Sequence, residues 1–502
     1  MRFSGCSSLG TIGSAVIGSA AFRVAFRVAF RAACGAVCCA ALLMGNGAAA
    51  AAQSLDAAGQ ARMAYICSLA GMAVYDSDLN EAVRQEMGKL GWQFKDYRNT
   101  DRRADTTFYI LENTAADKKS RETLVVIPGT EKLKDVEVDL RFSKVLFGGS
   151  TPQEFRELAE TEKVAASQPM VHQGFNDYTM TAFFSPDGEG VMGADRLKGF
   201  LDEEGEHLYL TGHSLGGAVA TLLAARLISM GVEPDRLSVF TFGAPTVGNT
   251  AFAEEHGYCI DLSRYTMGGD MVKNALQALK SGYVHFGTEY RWQKNENSYM
   301  YNHSIAVYLD AAIRNYYDEV LQGDLSLASL AAGKPELLAE DSSAESRARS
   351  RLPWSRSFDE GRVYIAPVVV DVPESIANDS GYMQVVAGDV LMSQFSRIRV
   401  DESLAMPGAA EDTLFAACRR AEEAGCDRVA MVSITGRAEK ENPRRHRIMA
   451  SVAVYSTDGE QLMSTLTSTT TKEITPIEAV MYDMTRAADD IKAAQRQGIL
   501  PE

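Results

Sequence analysis

The chain is short of positive charge: 50 lysines and arginines stand against 66 acids, a net charge of −16. An acidic surface repels phosphate backbones, which argues against nucleic acid as a partner and gives no electrostatic help on anionic lipid. Paired metal-ligating cysteines are missing as well. Cys6, Cys34, Cys38 and Cys39 crowd the N-terminal end, and Cys67, Cys259, Cys418 and Cys426 form no CxxC pair, so no metal site is expected. Cys418 and Cys426 are candidates for a disulfide in an oxidising compartment, with buried free thiols as the alternative. No solenoid repeat is present in the body of the chain. Beyond residue 52 no run of ~18 apolar residues occurs, so no membrane-crossing helix is expected there.

The first 52 residues lack acids altogether. They carry Arg2, Arg23, Arg27 and Arg31, then an uncharged stretch ending in "GAAAAAQ". A basic region, an apolar stretch and Ala-x-Ala in that order read as a secretory signal at 1–52, with cleavage expected near Ala52. A periplasmic or secreted location follows as an expectation. A mitochondrial-type presequence and an uncleaved membrane anchor are the competing readings.

What the chain has in quantity is alternation. "TTFYILEN" and "TLVVIP" flank a polar turn and predict a hairpin. "LYL", "LSVFTFG" and "SRYTM" are short apolar runs separated by helical stretches. This predicts an α/β domain over 53–330 with a mostly parallel central sheet. Residues 331–360, which contain "DSSAESRARSRLPWSRS", read as a linker. Over 361–502 a smaller α/β domain is expected, with strands in "RVYIAPVVV" and "DRVAMVSITGRA". Two more flank a turn at Asp458-Gly459, and a long helix opens at Pro476.

One stretch carries chemistry. In "LYLTGHSLGGAVATLL" an apolar strand runs into Gly212-His213-Ser214-Leu215-Gly216 and a helix starts at once. Glycines two residues either side of a serine are what a nucleophile elbow needs, because side chains there would strike strand or helix. A structural turn with an incidental serine is the plainer reading. A serine nucleophile also needs a histidine base and an orienting acid, in the chain order Ser, Asp or Glu, His. His256, His285 and His303 follow. Asp270, after "SRYTM", sits where a loop leaves the carboxyl end of a strand. Its rival Asp261 precedes that strand and would fall at the wrong end.

The ordered blocks resemble the class 3, fungal-type lipase family of α/β-hydrolases. They are "VVIPGT", "VDL" at Val138–Leu140, "VHQGF", "GHSLGGA", "FTFGAPTVGN", "RYTMGGDMV", "GYVHFGTEY" and "HSIAVYL". The resemblance spans about Ala57 to Gln322. It implies Ser214 as nucleophile, Asp270 as orienting acid and His303 as general base, with His285 in a non-catalytic block. His213 and His172 are read as structural. The oxyanion hole implied is the N–H of Leu215 together with Thr130, although Pro128 stands where the family usually has arginine. A lid implied after Thr130 would offer Val145 to Phe147 as a lipid contact, with ordinary core as the alternative. No cofactor is implied. The expected activity is hydrolysis of lipid esters, acylglycerol or phospholipid. A short-chain esterase or thioesterase is an alternative, and so is an envelope interaction protein built on a lipase-like scaffold. The C-terminal domain shows no catalytic constellation. Its His446, in "NPRRHR", is expected in a solvated loop, and a binding or assembly role with an unidentified protein partner is expected.

Overall fold

The computed structural model describes residues 55–501, except 76–79, 101–104, 114–121, 130–142, 166, 202–205, 273–281, 296–297, 333–361 and 401–409. The expected N-terminal signal, Thr130, the Val138–Leu140 block and nearly all of the expected linker therefore lie outside the described residues.

β1 (Trp92–Thr100) and β2 (Asp105–Asn113) form an antiparallel pair, and β2 pairs antiparallel with β3 (Glu122–Ile127), the expected hairpin. Short strands β4 (Lys144–Leu146) and β5 (Met170–His172) follow, then β6 (His207–His213), β7 (Leu237–Phe242), β8 (Gly248–Asn249), β9 (Asp261–Met267), β10 (Tyr283–Val284) and β11 (Thr288–Trp292). The main sheet has the order β1-β2-β3-β6-β7-β9-β11, and every pairing from β3 to β11 is parallel. β3, β6 and β7 are buried almost end to end, as strands covered on both faces must be. Their side chains alternate between two cores. Leu124, Val126, Tyr209, Phe240 and Phe242 join the core under helices Ala57–Ala73 and Ile305–Leu321. Val125, Ile127, Leu208, Leu210 and Val239 join the core under helices Gln173–Phe184 and Leu215–Ser229.

A small antiparallel sheet, β10-β8-β5-β4, lies in the second core. It corrects the lid expectation at Val145 to Phe147: none of the three is more than 9% exposed. β4 pairs with β5, and Phe147 packs edge-on against Phe252 with ring centres 4.9 Å apart. Arg226 fills the space beside it. Its guanidinium lies 3.7 Å from the Phe147 ring centre and 4.1 Å from that of Phe155, and burial lowers its pKa to about 9.

The C-terminal sheet is built from β12 (Val363–Ile365), β13 (Val369–Asp371), β14 (Ile398–Val400), β15 (Arg428–Ala438), β16 (His446–Ser456) and β17 (Gln461–Thr470). β12 and β13 both run parallel to β15, and β16 and β17 add antiparallel. The turn between β16 and β17 uses Gly459 at φ +90°, as the sequence suggested. The terminal helix Pro476–Arg496 opens with a capping box between Thr475 and Glu478. This sheet does not stand apart. Its core residues Met383, Val386, Ile448, Val452 and Met481 are continuous with the core under helices Ala57–Ala73 and Ile305–Leu321, and Leu55–Glu502 form one compact unit. His446 corrects another expectation. It is 4% exposed, opens β16 and lies 2.9 Å from Ser375 Oγ through Nε2. The arginines around it suggested solvent, but the two-residue period of the strand turns His446 inward. Cys418 and Cys426 are free, and both are buried.

Burial also leaves a titratable signature where the terminal helix packs on this sheet. Asp483 accepts from Thr469 Oγ1 at 2.7 Å, and desolvation raises its pKa to about 7, above the usual ~3.9. The folded state then binds the proton more tightly than the unfolded one. Stability from this group is full below about pH 4 and is lost as pH rises through about 7. Asp483→Asn removes that dependence. In thermal unfolding, its Tm relative to wild type is expected to climb steadily from pH 4 to pH 8.

Candidate active site

β6 ends at His213, and helix Leu215–Ser229 begins with no residue to spare. Ser214 between them has φ 56° and ψ −125°, a strained conformation for a residue with a Cβ. Its N–H donates to Phe242 O at 2.9 Å, which holds the turn against the end of β7. Glycine is required on both sides. A Cβ on Gly212 would overlap the Gly216 backbone, and one on Gly216 would overlap the Ile127 carbonyl at the end of β3. Leu215 opens the helix, so its N–H has no partner within it and lies at the positive end of the helix dipole.

Three loops at the carboxyl ends of parallel strands meet here. Ser214 Oγ lies 2.9 Å from His303 Nε2, and His303 Nδ1 lies 2.8 Å from Asp270 Oδ2. None of the three residues is more than 4% exposed. Since a carboxylate only accepts, Nδ1 of His303 carries the proton and Nε2 accepts from the serine. Asp270 also accepts from the Val272 N–H at 2.9 Å on Oδ1 and from the Tyr308 hydroxyl at 2.6 Å on Oδ2. Burial, reinforced by Asp270, holds the Tyr308 phenol far above its ordinary pKa, so it stays a donor. Gly243, at φ +59°, leaves room for this: a Cβ there would sit 2.9 Å from Asp270 Oδ2 and 2.9 Å from the Tyr308 oxygen.

Asp261 sits at the opposite end of β9 and accepts from Ser238 Oγ at 2.7 Å. His256 is half-buried against Phe147 and Phe252, and partial loss of water lowers its pKa to about 4. His285 directly follows β10. His172 is fully buried, and its Nδ1 accepts from the Phe175 N–H at 3.3 Å.

With this geometry in view, the chain was compared with known proteins. Residues 124–278 match the family model described as lipase (class 3). The match to class 3 lipases is confined to this segment, under a third of the chain. Among curated proteins, Lipase ZK262.3 of Caenorhabditis elegans is 42% identical over 75 residues, 14% of this chain and 21% of that protein. Phospholipase A1-II 1 of Oryza sativa is 30% identical over 150 residues, 27% of this chain and 36% of that protein. The chain thus spans well under half the length of these relatives. Among solved structures, a Rhizomucor miehei lipase propeptide complex is 22% identical at a TM-score of 0.37, covering 47% of this chain and 68% of that one.

Around the line of Ser214, His303 and Asp270 stand further groups whose contacts the sequence did not supply. His213 Nε2 lies 2.8 Å from the His303 carbonyl oxygen, and its Nδ1 lies 2.6 Å from the Tyr75 hydroxyl. The carbonyl can only accept, so Nε2 carries the proton and Nδ1 accepts from Tyr75. Burial, then the neighbouring His303, drives the pKa of His213 well below the ordinary value and keeps it neutral. Tyr308 was within reach of the sequence, because it lies on the helix that begins just after His303. Tyr75 gave no local signal, since it meets His213 only through the packing of the N-terminal helix.

The strain at Ser214 is measurable. Ser214→Gly and Ser214→Ala lose the same hydroxyl, but only glycine accepts this backbone without cost. Thermal unfolding is expected to find the glycine variant more stable than the alanine variant by about 1–2 kcal/mol. Tyr308→Phe keeps the ring and removes one donor from a buried carboxylate. It is expected to cost about 1–3 kcal/mol of stability by denaturant titration.

Proposed function

We propose that the chain is a serine hydrolase that cleaves carboxylic esters of lipids through an acyl-enzyme. The observation that carries this reading is the unbroken line from Ser214 Oγ through both ring nitrogens of His303 to Asp270. His303 Nε2 takes the serine proton as Oγ attacks the ester carbonyl. The Leu215 N–H, with Thr130 as second donor, holds the developing oxyanion, a contribution typically worth about 10²–10³ in rate per donor. The alcohol leaves with the proton, and water then releases the acyl group by the same route. Asp270 holds His303 in the required tautomer and stabilises its imidazolium. His213, with ring centre 4.6 Å from that of His303, favours the reaction by staying uncharged, because a second cation there would oppose the imidazolium.

The substrate class, acylglycerol or phospholipid, is supported by the family of residues 124–278 and by relatives named lipase and phospholipase A1. Export is part of the proposal and rests on the basic, then apolar, acid-free composition of residues 1–52.

Hydrolysis of p-nitrophenyl esters of rising acyl length by the full chain tests the reading, with Ser214→Ala and Asp270→Asn alongside. Turnover is expected to rise with chain length, to fall to background in the Ser214 variant and to drop about 10⁴-fold in the Asp270 variant. Activity confined to short chains would make the protein a general esterase. No Ser214-dependent turnover of any ester by folded protein would overturn the proposal in favour of a scaffold.

A further inference from the structure

The C-terminal module contributes no side chain to the line of Ser214, His303 and Asp270, yet it grips the chain on both sides of His303. Asp379, the last residue of a short turn Glu374–Asp379 before helix Ser380–Met392, is 1% exposed. Its Oδ1 accepts from Asn295 Nδ2 at 2.9 Å, ahead of His303 in the chain. The same oxygen accepts from Arg314 Nη2 at 2.9 Å, on the helix that follows His303. Arg314 is itself anchored on that helix by Asp310 at 2.7 Å. Further ties run alongside. The Tyr299 hydroxyl donates to the carbonyls of Thr471 and Lys472, Tyr317 donates to Asp389 at 2.9 Å, and Tyr382 donates to Asp318 at 2.8 Å. The turn bearing Asp379 is held in its own module, where Ser375 meets His446 at 2.9 Å. Asn302, next to His303, donates to Gly268 O at 2.6 Å and so links this stretch to the loop carrying Asp270.

We propose that Asp379 is a positioning residue for His303, and that the C-terminal module is a working part of the hydrolase rather than an appended binding domain. One buried carboxylate oxygen fixes the chain before and after the histidine. That restricts the shift of the imidazole relative to Ser214 and Asp270. Both bonds fall on Oδ1 while the buried Oδ2 has no hydrogen-bond partner, so losing either donor leaves the carboxylate still less satisfied, and the clamp holds as a unit. This inference rests on the proposed roles of Ser214, His303 and Asp270.

The test uses the full chain carrying Asp379→Ala, Asp379→Asn or Asn295→Ala. Val452→Ala, which opens a cavity in the same module without touching the clamp, is the control. Two readouts are taken. The first is kcat and KM on a p-nitrophenyl ester. The second is the downfield NMR signal of the His303 Nδ1 proton in ¹⁵N-histidine-labelled protein, which needs no turnover. Asp379→Ala is expected to lower kcat about 10- to 100-fold with KM within about twofold, the size of effect a small misplacement produces. It is also expected to shift or broaden the proton signal. Asp379→Asn, which keeps an acceptor, is expected to recover much of both. Val452→Ala is expected to leave both unchanged. Folded Asp379→Ala with wild-type kcat and an unmoved signal would overturn the proposal, as would an equal loss in Val452→Ala. If Asp379→Ala does not fold, Asn295→Ala decides: a smaller kcat loss with a shifted signal supports the clamp, and no change in either overturns it. Wild-type protein without Ser214-dependent turnover would sink the functional reading alone, and the proton signal would still decide the positioning role.

Discussion

Everything at this site depends on how closely the backbone of the elbow approaches the end of β3. Gly216 packs so tightly on the Ile127 carbonyl that no side chain fits, and Gly212 packs equally tightly on Gly216. That contact forces the chain to reverse within one residue, and Ser214 absorbs the strain in its backbone. It also sets the first turn of helix Leu215–Ser229 beside the serine, so the helix dipole and a free amide face the same point. The burial of β3, β6 and β7 on both faces keeps the contact rigid, because neither strand can retreat without opening a void in one of two cores.

The polar groups behind the elbow follow from desolvation. Asp270 is an interior carboxylate, tolerable only when hydrogen-bonded. Val272, Tyr308 and His303 supply its donors, and Gly243 leaves the space they need. The layer beyond is neutral by the same physics. Burial keeps His213 uncharged and Tyr308 protonated, so the field at His303 is set by Asp270. His213 and Tyr75 act on backbone position, through the His303 carbonyl, rather than on charge.

The histidine faces a different constraint from the serine. Ser214 is fixed by local geometry, whereas His303 arrives on a stretch between β11 and helix Ile305–Leu321 with little secondary structure of its own. Rigidity there has to come from outside the stretch. The Asp379 contacts supply it, and they need a C-terminal sheet packed close to the helices behind the active site.

Residue order by itself determined the parallel strands, the hairpins, the elbow with its two glycines and the long terminal helix, and the resemblance to class 3 lipases singled out the three side chains now seen in line. These are legible because each rests on short-range rules: the period of a strand, a turn that admits only glycine, a proline at a helix start, motifs in a set order. Tertiary structure decided the rest. It put Val145 to Phe147 in a core instead of on a lid and turned His446 inward beside three arginines. It also brought Tyr75 and Asp379 to bear on the surroundings of His303. Those outcomes turn on which surfaces meet after the sheets pack and on which groups lose their water there, and neither is written in the spacing of residues along the chain.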